Sequence, residues 1–346
     1  MPLVQVETPL TFDSEADLLG SGTVGEVFRA ILGQRGVSNP ETTPRVFALK
    51  RFFNREGRDD FDNERNILEA LAIPSPHHAI VYHLSSWAAG AASYMLFPLA
   101  AGDLHQFLRT EPPPNEITAA FASALLDRIH GIIDAIGFVH DSGVLELAQH
   151  PSPMRRIGFH HDLKPANILL FHDDAGRVHW KLGDFGSGTA RFVPADSTEE
   201  LYNRKASTGD PVYSAPEYVI DGRVSRPKDI WSMGAILLEV LIWVSSDAVG
   251  AVKRFEEARL DFKDATVEHA AVYWCQGDTD GRPYLNPAAA TAQDDVEKGR
   301  IGREAPSPFI AFVKLIRAML ELDPAARPTA AELCQNIDKM RPNLSS

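Results

Sequence analysis

Between Phe12 and Leu99 the hydrophobic positions fall in short alternating runs broken by glycine and proline, a pattern that predicts a strand-rich first part. Val27–Leu32 and Val46–Phe52 read as two strands of a hairpin, joined by the polar loop Gly33–Pro44. Within Phe61–Ala72 the residues Phe61, Ile67, Leu68 and Leu71 lie at helical spacing, and Pro74 and Pro76 end that helix. From Leu104 onward the character turns helical, with Ile117–Val139, Asp229–Val244 and Pro308–Leu320 as the clearest segments. One more hairpin is predicted there: Ile168–Phe171, a turn at His172–Gly176, then Val178–Leu182. Gly277–Glu304 is polar and Ala-rich, and reads as a mobile loop. No internal repeat or low-complexity tract is present.

Composition narrows the class. With 346 residues, 44% hydrophobic and 23% charged, the chain is composed like a folded protein, and its length suits about two lobes. Lys and Arg number 34 against 47 Asp and Glu, a net charge of −13. Phosphate-backbone binding draws on clustered cations, so no nucleic-acid or anionic-membrane partner is expected. Cys275 and Cys334 form no CxxC pair, which fits reduced thiols in the cytoplasm or nucleus. The N-terminal Met1–Glu7 lacks the basic and apolar features of a secretion signal. The longest apolar run, Met233–Val244, is interrupted by Glu239 and falls short of the about 20 residues that span a bilayer; a buried core helix is expected.

Candidate chemistry begins at Gly20-Ser21-Gly22-Thr23-Val24-Gly25, a G-x-G-x-x-G string that dinucleotide folds also use. In those folds the glycines open a helix. Here Gly25 leads into the alternating segment Glu26–Leu32, so the loop joins two strands and can lie over a polyphosphate. Alone, the string also fits a tight hairpin with no ligand. Lys50 closes the apolar strand beside this loop, and Glu64 sits on the one helix available to pair with it. Alone, these are a snorkelling lysine and a solvated helix face.

His160-His161-Asp162-Leu163-Lys164-Pro165-Ala166-Asn167, followed by Asp184-Phe185-Gly186, is a far more specific signal. Phosphoryl transfer needs a carboxylate to orient or deprotonate the attacking hydroxyl. It also needs an amide and a second carboxylate to hold Mg²⁺, and a cation to screen the γ-phosphate. Asp162, Asn167, Asp184 and Lys164 are residues of those four types, and the intervening hairpin returns Asp184 toward Asn167. Adjacent histidines rarely point at one ion, so His160 and His161 are not read as metal ligands.

With Ala215-Pro216-Glu217, the run Asp229-x-Trp231-Ser232-x-Gly234 and Arg327, the order of motifs resembles the eukaryotic protein kinase family, Ser/Thr type, from about Leu18 to Arg327. The resemblance implies an α+β, bilobal protein-kinase-like fold at 12–342, with a small β-rich N-lobe (12–99), a larger, mainly helical C-lobe (100–342) and ATP between them. It implies that Lys50, ion-paired to Glu64, holds the α- and β-phosphates, that Asp162 is the catalytic base assisted by Lys164, and that Asn167 and Asp184 hold Mg²⁺. Gly20, Gly22 and Gly25 would cover the nucleotide. Val27, Ala48 and Leu169 would sandwich adenine, with Leu96 at the back of the pocket. The Phe97 carbonyl and Leu99 amide would meet the adenine edge, so Pro98, which has no N–H, removes no needed donor. Asp103 matches the position that meets the ribose, although a solvated surface role also suits it. Glu217 with Arg327, and Asp229 under the catalytic loop, would be structural, and Leu68, Phe185 and His160 would form a packed spine between lobes.

Three positions depart from the family pattern. His161 stands where the family usually has an arginine that pairs with a phosphorylated activation loop. Activity is therefore expected not to require that phosphorylation, and His161 is either a surface residue or a weak, pH-dependent substitute. Asp210 replaces a threonine whose hydroxyl bridges the catalytic Asp and Lys; its carboxylate either competes for Lys164 or turns outward. Ala166 removes an acidic contact to basic substrates. An extra loop, Leu145–Gly158, precedes the catalytic motif and is expected as a tolerated surface insertion or a partner contact.

The expected function is ATP-dependent transfer of phosphate to Ser or Thr of protein substrates, Lys164 after Asp162 being the Ser/Thr arrangement. The alternatives are a pseudokinase scaffold and a small-molecule phosphotransferase of the same core fold. Ser197, Thr198, Ser207 and Thr208 are the candidate modification positions of the activation loop.

Overall fold

The computed structural model describes residues 10–12, 16–22, 24–32, 45–53, 59–147, 150–197, 209–222, 225–262, 272–277, 281–299 and 307–341. The first part is an antiparallel sheet of β1 (Leu10–Thr11), β2 (Leu18–Ser21), β3 (Gly25–Leu32), β4 (Arg45–Phe52), β5 (Ser85–Ala89) and β6 (Ala92–Pro98). The path β1-β3-β4-β6-β5 sets the spatial order, and β2 also pairs with β3. Val27 lies opposite Lys50, and Ala48 opposite Phe97. Side chains alternate along a strand, so Val27, Ala48, Lys50 and Phe97 share one face of the sheet. Gly25 permits the close approach of β3 to β4, because a Cβ there would run into the Arg51 carbonyl. The expected loop Gly33–Pro44 lies outside the described residues.

Helix α1 (Asp60–Leu71) follows, its N-terminus capped by the Asp59 side chain, which accepts from the Asp62 amide. It buries Glu64, Ile67, Leu68 and Leu71. The second part contains β7 (Gly102–Asp103), α2 (Leu104–Thr110), α3 (Ala119–His140), β8 (Met154–Phe159), β9 (Ile168–His172), β10 (Val178–Leu182) and β11 (Thr189–Pro194). Next come α4 (Pro216–Asp221), α5 (Arg226–Ser245), α6 (Ala251–Leu260), β12 (Trp274–Gln276), β13 (Pro283–Leu285), α7 (Pro287–Glu297), α8 (Ser307–Met319) and α9 (Ala330–Met340). Strands β9 and β10 form the expected hairpin, with β7 on its other edge.

Two expectations are corrected. The segment Leu145–Gly158 is no simple surface insertion: most of β8 lies in it and pairs antiparallel with β11 over six residues. Gly158 makes this possible, because a Cβ there would collide with the Thr189 carbonyl. Gly277–Glu304 is not a loop throughout, since β12 and β13 form a hairpin and α7 runs through its middle. Asn286 starts α7 by accepting from the Ala288 amide, with Pro287 in the first turn.

One large core surrounds α3, α5, α8 and α9, and it takes in Ile67, Leu68 and Leu71 of α1. Among the described residues the sheet has a small cluster of its own, Ala30, Leu49 and Leu96. Helix α1 is thus packed on the core of the helical part while its Glu64 reaches the sheet. Helix α5 is buried along almost its whole length, as expected for the apolar run it contains. Among the described residues no helix is long and apolar enough to cross a membrane.

Candidate active site

The shared face of β3, β4 and β6 directs Lys50 toward α1. Its Nζ lies 2.6 Å from Glu64 Oε2 and 2.7 Å from Asp184 Oδ1. Burial works against the ammonium charge, but Asp184 and Glu64 outweigh it and hold Lys50 above its ordinary range. Burial pushes Glu64 up and Lys50 opposes this. The Lys50 charge brings Asp184 down to about 2, so its carboxylate is ionised at neutral pH. Neither the snorkelling lysine nor the solvated helix face describes these residues: Lys50 and Glu64 are both buried.

The segment after β8 brings together the second group. Asp162 Oδ2 accepts from Lys164 Nζ at 2.8 Å and from Asn167 Nδ2 at 3.4 Å. Asn167 Nδ2 also donates to the Asp162 carbonyl at 2.8 Å. Its nitrogen is thereby committed, which leaves the amide oxygen as the end that can face a cation. Lys164 is held above its ordinary value: burial opposes the charge and Asp162 more than compensates. Gly183 N donates to the Asn167 carbonyl at 2.9 Å, which fastens the start of the Asp184 segment to the loop that carries Asp162.

His161 and Asp184 both have positive φ, 72° and 58°. Non-glycine residues hold this conformation only where the surroundings impose it. At His161 the imposing groups are clear. Asp229 Oδ1 accepts from His161 N at 2.9 Å, its Oδ2 accepts from His160 N at 2.8 Å, and the buried Lys228 ammonium donates to the His161 carbonyl. Asp229 would be raised by burial, but the His140 hydrogen bond and charge, with the His160 contacts, bring it to about 2. His161 is buried rather than on the surface. Burial, aided by Lys228, pushes it down to about 3, so it stays neutral near pH 7 and cannot act there as a titrating substitute for arginine.

The second departure resolves geometrically. The Asp210 amide donates to Asp162 Oδ1 at 2.8 Å, while Asp210 Oδ1 accepts from Val212 N at 2.9 Å. The Asp210 carboxylate thus caps the short 3₁₀ turn Pro211–Tyr213, while Lys164 donates to Asp162 and receives only a minor charge contribution from Asp210. Asp103 likewise caps α2, accepting from Gln106 N at 2.9 Å. Leu169 lies opposite Asp103 across β7 and β9.

Gly20 has open space where a Cβ would stand, and Gly22 has nothing closer than 4.0 Å there. Among the described residues, therefore, nothing crowds Gly20 or Gly22, which leaves room beside them for a phosphate. Asp184, with its side chain 41% exposed, and the Asn167 oxygen offer hard oxygen donors of the kind that Mg²⁺ prefers. Val27, Ala48 and Leu169, the expected adenine sandwich, are partly buried, as are Phe97 and Leu99.

The expected structural contacts are present. Glu217 and Arg327 form a bidentate pair at 2.7 and 2.8 Å, with the guanidinium over the Trp231 ring. Phe185 and Leu68 share the core cluster, and the His160 ring lies 4.7 Å from that of Phe185. Sequence reasoning missed Lys228, whose only signal was a lysine placed against Asp229 at the start of an apolar helix. It also missed the environment of Glu239, which accepts from Tyr213 and Tyr273 hydroxyls at 2.9 and 2.8 Å and lies near Arg109 and Arg259. A glutamate interrupting the longest apolar run was the legible trace of that cluster.

Comparison with known proteins gives a consistent picture. The protein kinase domain family matches residues 14–337. The serine/threonine-protein kinase ULK3 of Xenopus laevis is 29% identical over 248 residues, 71% of this chain and 45% of that protein. The serine/threonine-protein kinase ksg1 of Schizosaccharomyces pombe is 28% identical over 238 residues, 65% of this chain and 34% of that protein. The serine/threonine-protein kinase VIK of Arabidopsis thaliana is 28% identical over 234 residues, 66% and 45% of the two chains. The chain spans less than half the length of these curated relatives.

Proposed function

This chain belongs to the protein kinase domain family, and from that premise we propose that it is an active kinase transferring the γ-phosphate of ATP to Ser or Thr hydroxyls of protein substrates. The observation that carries this reading is the pair of adjoining constellations: Lys50 between Glu64 and Asp184, and Asp162 with Lys164 and Asn167.

In this reading Asp162 receives the substrate hydroxyl and accepts its proton as the oxygen attacks phosphorus, and the phosphorus–oxygen bond to the β-phosphate breaks. Lys164, already against Asp162, screens the charge on the transferring oxygens. Lys50 steadies the α- and β-phosphates, and Glu64 keeps Lys50 in place. Asn167 and Asp184 would hold Mg²⁺, which when bound neutralises phosphate charge. The glycines of the β2–β3 turn cover the phosphates and help exclude water, and the Val27, Ala48 and Leu169 positions receive the adenine. Intact Lys50, Asp162, Asn167 and Asp184, and an Asp210 side chain occupied elsewhere, weigh against a non-catalytic scaffold. The Glu217–Arg327 pair and Trp231, which belong to the protein-substrate version, weigh against a small-molecule phosphotransferase.

The test is transfer of labelled γ-phosphate to Ser, Thr and Tyr peptide libraries with Mg²⁺, comparing wild type with Asp184→Asn. Transfer to Ser or Thr peptides, lost in the variant and absent with sugars or choline as acceptors, is the expected result. Nucleotide-dependent thermal stabilisation without turnover would support the scaffold instead.

A further inference from the structure

Arg156 is 0% exposed, yet no carboxylate pairs with it among the described residues. A buried cation without a counter-ion is costly, so its neighbours must supply compensation. They are three backbone carbonyls: Ala70 at 3.1 Å, Ile73 at 2.7 Å and Phe138 at 3.0 Å, with the Phe138 ring face 4.2 Å from the guanidinium carbon. Ala70 lies in the last turn of α1 and Ile73 just beyond its C-cap Ala72, while Phe138 lies in the last turn of α3. Helix C-termini leave carbonyls without intrahelical partners and carry partial negative charge. One guanidinium thus caps two helices, α1 and α3.

The strand that carries Arg156 has a second connection. In β8, Arg156 lies opposite Phe192 of β11, in the segment that follows Asp184. Its neighbour Arg155 donates to the Ser197 carbonyl of the same segment at 2.6 Å. Asn63 of α1 donates to the Gly186 carbonyl at 2.8 Å. A continuous chain of contacts therefore runs from β11 through β8 and Arg156 to the end of α1, two turns beyond Glu64.

We propose that Arg156 is a positioning residue that couples the seating of Glu64 against Lys50 to the pairing of β11 on β8. The kinetic part of this inference rests on the phosphotransfer reading; the coupling itself does not. Loss of the shared cap loosens the end of α1 while its apolar face stays on the core, so the Lys50–Glu64 distance is no longer set.

The experiment measures kcat and KM for peptide and MgATP in wild type, Arg156→Met, Arg156→Lys, Glu64→Gln and the Arg156→Met/Glu64→Gln pair. Arg156→Met is expected to lower kcat by roughly 10- to 100-fold, the scale of a small misplacement in the site, with little change in peptide KM. Arg156→Lys, which keeps the charge and part of the donor set, restores some of that loss. In the double variant the Arg156 effect disappears, because both changes act through Glu64. Losses that multiply, or a lowered Tm with kcat unchanged, would overturn the proposal. Should Arg156→Met not fold, the Lys variant is read by the same criteria.

A second readout needs no turnover. Amide exchange in α1 and β11 is followed with and without a non-hydrolysable ATP analogue and Mg²⁺. In wild type the analogue slows exchange in both elements; in Arg156→Met the slowing in β11 is lost although the analogue still binds. Equal slowing in both proteins, or none in wild type, would overturn the coupling. A wild type that shows this response but transfers no phosphate would remove the kinase reading alone.

Discussion

The backbone amide of Asp210 donates a 2.8 Å hydrogen bond to the carboxylate of Asp162. Its own side chain caps the next turn through Val212 N. Backbone, rather than side chain, therefore links position 210 to the proposed base. Asp210→Asn, which preserves the cap, is expected to keep kcat within a few-fold of wild type. Asp210→Ala loses the cap, worth about 1 kcal/mol, and should lower kcat further. A steady-state comparison of the two variants checks this; equal and complete inactivation would show that the carboxylate charge itself is required.

Asp162→Asn removes the proposed proton acceptor but keeps a side chain that Lys164 and Asn167 can contact. Phosphate transfer should fall by about 10²- to 10⁴-fold, with nucleotide affinity largely retained. Calorimetric titration with MgATP beside a transfer assay separates the two effects, and full activity in this variant would mean that another group is the base.

His161 makes stability depend on pH in a defined direction. Its folded value of about 3 lies below the ordinary 6.5 because of burial, with Lys228 adding to the effect. The unfolded chain takes up a proton near 6.5 and the folded chain does not, so this contribution is present above pH 6.5 and is lost as pH falls toward 3. His161→Asn tolerates the positive φ and does not titrate there. Between pH 7.5 and 5 it should lose less stability than wild type, the difference being on the order of 1–2 kcal/mol. Urea unfolding at the two pH values measures it.

A neutral, buried His161 also offers no cation to a phosphate on the segment after Asp184. Activity should persist after phosphatase treatment of the purified protein, verified phosphate-free by mass spectrometry. Complete loss of transfer would show that phosphorylation acts through another cation. Ser197 is described in the structure, while Thr198, Ser207 and Thr208 lie outside the described residues.

Arg327 is buried against Glu217 and Trp231. Arg327→Ala leaves the Glu217 carboxylate without its partner, which in a buried pair costs about 3–5 kcal/mol. The denaturation midpoint should drop accordingly, whereas the more conservative Arg327→Lys should recover part of the loss.

The chemistry of the candidate site was legible in one dimension because phosphoryl transfer demands particular residue types in a particular order. Asp162, Lys164, Asn167 and Asp184 were identifiable from local motifs, Lys50 and Glu64 only through the resemblance carried by the whole order of motifs, and the structure brings all six into two adjoining clusters. The β3–β4 pair, α1 and the β9–β10 hairpin were legible for a related reason: hydrophobic period and turn residues are local signals.

What tertiary structure decided was environment. Nothing in the string around His161 says that it is buried or that Lys228 donates to its carbonyl; both follow from α5 passing beneath the loop. The pairing of β8 with β11 joins residues as far apart as Met154 and Pro194, and its close approach depends on Gly158. The role of Arg156 needs two helix ends and a strand to meet at one point. Local sequence thus determined which reactive groups this protein has and along which elements they lie. Long-range packing alone determined which charges are buried, which carbonyls need a donor and which loops are held in strained conformations, because desolvation and hydrogen-bond satisfaction depend on neighbours in space.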